Sequence, residues 1–183
     1  MGSEMCIRDR VYIVDSLNVA VGEKAIVEYA LRMKDAGTDI HTIVETLNHE
    51  KENLRVIALL DTLEYLQKGG RISKTVAIAG SLLSIKPVVS VVDGEVALLG
   101  KARGSRQGNN FLIQQIQKDG IDFSRPFFLG YTGLSDALLQ KYISDSAEIW
   151  KEHVEHLPIG TIGGAIGTHV GPGAIAVAFF TEK

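Results

Sequence analysis

The chain predicts an α/β fold built on a mixed sheet, and three observations carry that expectation. Short runs of β-branched and aromatic residues alternate with segments of helical periodicity. Between two of those runs stands Asp93-Gly94, the strongest hairpin signal in the sequence, which makes part of the sheet antiparallel. The strand and two helices read over residues 11–48 have the order of a parallel α/β unit, of which they form the tail. The expected division is a leader at 1–10, the end of a first α/β domain at 11–50, and a complete mixed-sheet α/β domain at 51–183.

The elements follow in order. Val11–Val14 reads as a buried strand that ends in the turn formers Asp15 and Ser16. Val21, Ala25, Ile26, Tyr29, Ala30 and Met33 recur at helical spacing until Gly37 stops them, and Ile40, Ile43, Val44 and Leu47 mark a second helix over Thr38–Leu47. Leu54–Leu60 is a strand, and Thr62 opens a short helix, Leu63–Gln67, that ends at Gly69-Gly70. Val76–Leu83 is small and apolar, suited to a closely packed helix. Pro87–Val92 and Glu95–Leu99 are the arms of the hairpin. Ser105–Lys118 is helical, Pro126–Tyr131 a strand, Leu134–Trp150 one long helix, Ile159–Gly173 a glycine-rich run with His169 in a loop, and Ala174–Phe180 an apolar strand.

Residues 1–10, MGSEMCIRDR, have neither the apolar core of a signal peptide nor the amphipathic pattern of a transit peptide. Back-translated from a GTG start, they resemble a transposase sequencing adapter, and the expectation is a non-native leader. They hold the only cysteine, Cys6. Two arginines and two acids leave with them, so the net charge of -3 is unchanged.

With 45% apolar and 22% charged residues, the 183-residue chain has a globular balance and can bury a sizeable core. Its net charge supplies no global field for a nucleic-acid backbone, and 7% aromatics without interleaved bases argue against single-strand binding. Its apolar runs fall short of the ~20 residues of a membrane-spanning helix. A single cysteine fits a reducing compartment, and the expected location is cytoplasmic.

Four stretches could carry chemistry: Asp15-Ser16, Gly69-Gly-Arg-Ile-Ser73, Lys101-Ala-Arg-Gly104 and Gly167-Thr-His-Val-Gly-Pro-Gly173. A histidine between glycines, His169, with Thr168 beside it, can offer a ring N–H and a hydroxyl to a small anionic group. Arg71 and Arg103 can each grip a carboxylate or phosphate through two parallel bonds. Taken singly, a histidine in a glycine loop is more often a turn cap, and a lone arginine a solvated charge. What sets these three apart is their shared place at element ends flanked by glycine, where sites tend to lie. His153 and His156 lack the partners of a metal site, so none is expected. Neither a P-loop nor a nucleophile elbow is present.

At these residues the chain resembles the DegV family. Leu63-Glu-Tyr-Leu-Gln-Lys-Gly-Gly-Arg-Ile-Ser73, Leu82-Leu-Ser-Ile-Lys-Pro87, Asp93-Gly94, Lys101-Ala-Arg103 and Ile166-Gly-Thr-His-Val-Gly-Pro-Gly173 stand in that family's order, across Val11 to Phe180. The resemblance implies a two-domain DegV-like fold that holds a long-chain fatty acid between its domains. It implies a bacterial lipid-carrying subunit, not itself catalytic, that presents the acid's carboxylate to a separate ATP-dependent fatty acid kinase subunit for acyl-phosphate formation. Transient membrane contact for lipid exchange would accompany that role, with the fatty acid as ligand and no other cofactor.

By the same resemblance His169, Thr168 and Arg103 stand near the carboxylate. Arg71 and Lys101 stand near the head group, its phosphate or the partner, and Asp15 and Ser16 are ligand-proximal. Family members carry further Ser and Thr ligands in an N-terminal portion that this chain starts after. Burying a tail of about sixteen carbons offers ~12 kcal/mol gross, so the tail would give affinity and the polar residues orientation. Val76–Ile85 and the core strands are the expected tunnel walls. Two other readings stay open from the residues: an autonomous phosphotransferase or hydrolase using His169, and a non-catalytic interaction module.

Overall fold

In the computed structural model, which describes residues 11–72 and 85–182, the strand β6 (Ile175–Phe180) is buried at every position and stands inside a six-stranded sheet. Its odd residues Ile175, Val177 and Phe179 face one apolar layer, and its even residues Ala176, Ala178 and Phe180 face the other. That two-sided demand is why the sequence reads there as an uninterrupted apolar run.

The other strands are β1 (Leu54–Leu59), β2 (Ile85–Val92), β3 (Glu95–Arg103), β4 (Phe128–Tyr131) and β5 (Ile159–Thr161), in the spatial order β3-β2-β1-β6-β4-β5. The β4–β5 pair is parallel and the rest are antiparallel, so the sheet is mixed as expected. Asp93 (φ 51°) and Gly94 (φ 80°) both take the left-handed conformation that a tight hairpin turn requires. The hairpin is longer than its sequence signal, because β3 runs on through Lys101 to Arg103.

One face of the sheet is covered by α1 (Val21–Asp35) and α2 (Ile40–Glu50). The first buries Val21, Ala25 and Ile26, and the second starts on the Asp39 side chain, which accepts from the backbone N–H groups of His41 and Thr42. These helices, read from sequence as the tail of a preceding unit, share a core with Leu54, Val56, Ala176 and Phe180 of β1 and β6. The opposite face is covered by α4 (Gly104–Asp119), α5 (Ala137–Asp145) and α6 (Ala147–Trp150). Gly108 lets α4 close on β1, since a Cβ there would lie 2.5 Å from both Leu59 methyls. Two short helices, α3 (Glu64–Lys68) and α7 (Gly164–Val170), sit at one end of the sheet.

Four expectations are corrected. Residues 11–16 are not a strand: the segment joins no ladder, and Val11 and Ile13 are exposed. An apolar run needs a neighbouring edge to pair with, and none among the described residues reaches it. Leu134–Trp150 is two helices, starting only at Ala137 and broken at Ser146, whose hydroxyl donates to Tyr142 O at 2.7 Å and accepts from Trp150 Nε1 at 2.8 Å. His169 does not stand in a loop, since the glycine-rich run 159–173 holds β5 and α7 and the histidine lies in the last turn of α7. Arg103 does not follow the hairpin but ends its second strand. The leader and the Val76–Leu83 helix lie outside the described residues.

Candidate functional site

Strand register gathers one end of the sheet. Leu59 of β1 pairs with Ile175 at the start of β6, Tyr131 at the end of β4 pairs with the same residue, and Ile85 opens β2 opposite Arg103. The segments that leave and enter at this end carry Arg71, Arg103, Thr168 and His169. The opposite end carries the 93–94 turn, and there Leu17 lies against Gly94. Asp15 and Ser16 go with it. Ser16, buried, bonds Glu23 of α1, and Asp15 O accepts from Lys51 Nζ at 2.8 Å. These two residues are therefore not brought to His169.

At the gathered end, α3 and α7 dock through a reciprocal contact. His169, in the last turn of α7, lays its ring against Gly69 at the end of α3, where a Cβ would overlap Nδ1 and stand 2.9 Å from Cε1. Tyr65 of α3 lays its ring against Gly171 just past α7, where a Cβ would stand 2.6 Å from Cε2. The His169 Nδ1 atom is buried and has no hydrogen-bond partner among the described residues. Arg71 folds back so that one guanidinium N–H donates to Gly69 O at 2.9 Å, which puts Arg71 and His169 on the same residue. Thr168, next along a helix, faces elsewhere: it is exposed and donates to Ala165 O at 3.0 Å.

The turn after His169 is fixed by a residue that sequence reasoning passed over. Thr132 is buried, donates through Oγ1 to Gly171 O at 2.6 Å, and accepts from Ala174 N at 2.9 Å. Its only signal in sequence is a hydroxyl at the end of an apolar run. Arg103 and Lys101 are exposed on β3, two strands from β1, or about 10 Å at the usual strand spacing. The Arg103 backbone N–H donates to Gln107 Oε1 at 2.9 Å, which ties the strand end to α4.

Beside this cluster an apolar groove, partly open to solvent, lies over the middle of the sheet. Val56 and Ala58 of β1, Val89 of β2 and Ala176 of β6 form its floor, and Ile166 and Val170 of α7 form part of its wall. Ala58 sits on an interior strand yet is only half-buried, and it lines the groove. The groove thus begins at the helix that carries His169 and runs along the sheet. Core strands form its floor, and the Val76–Ser84 part of the expected tunnel wall lies outside the described residues. Among the described residues no helix is long and apolar enough to cross a membrane, and no cluster of His, Cys, Asp and Glu could hold a metal ion.

The DegV family model, described as an uncharacterised protein family, matches residues 1–182. The chain belongs to the DegV family. A DegV domain-containing protein of Caldanaerobacter subterraneus is 31% identical over 182 residues, covering 98% of this chain and 63% of its own length. Another, of Clostridium perfringens, is 34% identical over 175 residues, covering 93% and 58%. The chain therefore spans about three fifths of the length of these curated relatives.

The fold matches solved DegV structures. One is the Streptococcus pneumoniae Fatty Acid Kinase (Fak) B3 protein loaded with linoleic acid, with a TM-score of 0.86 and 20% identity, covering 98% of this chain and 63% of that one. Another is a fatty-acid-binding DegV protein of Thermus thermophilus, with a TM-score of 0.81 and 22% identity, covering 97% and 63%. At these identities the likeness establishes the fold.

Proposed function

We propose that this chain forms one wall of a long-chain fatty acid site and holds the acid's carboxylate at the mouth of that site for a separate ATP-dependent kinase. The observation that carries the reading is the juxtaposition of an apolar groove over the sheet with a histidine and an arginine at its end. An acyl tail gains ~0.8 kcal/mol for each methylene it buries, so an apolar floor is where its affinity resides. Solved relatives described as fatty-acid-binding or fatty acid kinase proteins support the reading.

The chemistry of the chain's own residues is presentation. His169 offers a ring N–H to one carboxylate oxygen, and the Thr168 hydroxyl, once turned from Ala165, a second donor. Arg71 and Arg103, with Lys101, offset negative charge on the carboxylate, on the incoming phosphoryl group and on the acyl phosphate. Phosphoryl transfer belongs to the partner. Asp15 and Ser16, at the far end of the sheet, stand on the tail side of the site.

Acyl-phosphate formation by the full-length protein with its kinase tests this. His169→Ala and Arg103→Ala each remove a bond to a charged group and are expected to lower the rate about tenfold to a hundredfold at limiting fatty acid. Unchanged rates in both variants would refute the assigned roles. Turnover without the kinase would favour the alternative of an autonomous His169 enzyme.

A further inference from the structure

We infer that Gly69 is a positioning residue for His169: the missing Cβ at the end of α3 is what seats the imidazole, seals its Nδ1 and leaves Nε2 as the nitrogen offered to a ligand. The inference rests on the reading that His169 meets a carboxylate.

The two glycines of Gly69-Gly70 are there for different reasons. Gly70 has φ +68°, and a Cβ on it would meet nothing within 4 Å, so its requirement is conformational. Gly69 has φ -78° and ψ -2°, a helical conformation open to every residue. Its requirement is steric instead, since its added Cβ would overlap His169 Nδ1. No backbone argument explains a glycine at 69, and the histidine ring does.

The seat also selects a tautomer. A hydrogen on Nδ1 would be a buried donor with no acceptor, a state that folded proteins rarely tolerate and that costs ~1–3 kcal/mol. A hydrogen on Nε2 leaves Nδ1 as an unpaired acceptor instead, a state folded proteins tolerate more often than an orphaned N–H, and it is the form that donates to a carboxylate. Arg71 holds the same residue from its other side through Gly69 O, so one glycine sets the spacing of the two groups that face the ligand. The contact of Tyr65 on Gly171 repeats the arrangement with the helices exchanged, and it fixes the approach of α3 to α7.

The test uses full-length protein labelled with ¹⁵N-histidine. Long-range ¹H–¹⁵N correlation is expected to show His169 as the Nε2–H tautomer in the parent and as an exchanging mixture in Gly69→Ala. Affinity for a long-chain fatty acid should fall in Gly69→Ala by about as much as in His169→Ala, with little further loss in the double variant. Should Gly69→Ala fold poorly, adding His169→Ala is expected to restore the thermal midpoint, because the overlap is then gone. An unchanged His169 spectrum in Gly69→Ala with unchanged affinity would overturn the inference, as would a stability loss that the double variant does not recover. A shifted tautomer with no affinity change in either single variant would uphold the seating and locate the failure in the ligand role of His169.

Discussion

Replacing Arg125 by alanine is expected to lower stability by about 3–5 kcal/mol, enough to unfold a large fraction of the protein near body temperature. Arg125 lies in the turn between α4 and β4, with its side chain only 11% exposed. It donates through one guanidinium nitrogen to Glu50 Oε2 at 2.5 Å and through Nε to Asp122 Oδ2 at 2.6 Å, and it stands over the Phe180 ring. Glu50 closes α2, and Phe180 closes β6. The network therefore fastens the two helical layers across the sheet end opposite the site.

Removing the cation takes the guanidinium away from Glu50, 9% exposed, a nearly buried carboxylate that Asn53 and His49 also contact. Chemical denaturation reads the loss. The pair Glu50→Gln with Arg125→Met should recover most of it, since the cost lies in the uncompensated charge.

The same network has a pH signature. Burial alone would raise the Asp122 pKa, but hydrogen bonds from Ser124 and Arg125 outweigh it and hold the carboxyl below its usual range. Asp145 is also held low, chiefly by the bond from Asn109. A carboxyl whose folded pKa lies below its unfolded value of about 3.9 adds stability above that value and loses it as pH falls through the folded pKa. The thermal midpoint is expected to drop below about pH 4, with a shallower drop in Arg125→Ala. An equal acid slope in the two proteins would dissociate Arg125 from Asp122.

Filling the groove is expected to abolish fatty acid binding while the fold persists. Ala58 lines the groove from an interior strand and is half-buried, so a larger side chain there projects into the groove. Ala58→Trp would displace about five methylenes of a bound tail, forfeiting about 4 kcal/mol, on the order of a thousandfold in affinity. Ala58→Leu should shorten the longest chain accepted and leave shorter acids bound. Titration with a series of saturated acids separates the two, and an unaltered chain-length profile in both variants would place the tail elsewhere.

What the sequence made legible follows from how local each signal is. The hairpin was readable because Asp93-Gly94 fixes its own backbone angles, and β6 because burial on both faces imposes a continuous apolar run. The strand at 11–14 was misread because apolar residues say nothing of whether an edge is there to pair with. Helical propensity argued against Gly164–Val170, yet Ile166 and Val170 have apolar surface to bury and α3 to dock on, and tertiary packing prevailed.

Of the site, His169, Arg71 and Arg103 stood out as polar residues at glycine-flanked ends. The groove floor was legible only as core strands, because Val56, Ala58, Val89 and Ala176 are ordinary apolar strand residues. Which of them face the groove is defined only by the fold. The separate duties of Gly69 and Gly70 were hidden for the same reason.

The central claim is that this groove holds an acyl chain. Native mass spectrometry of freshly purified full-length protein tests it most directly. The account predicts a co-purified mass equal to one long-chain fatty acid, present in the parent and missing from Ala58→Trp. Protein that is consistently free of such a mass, and that takes up none when offered the acid, would contradict it.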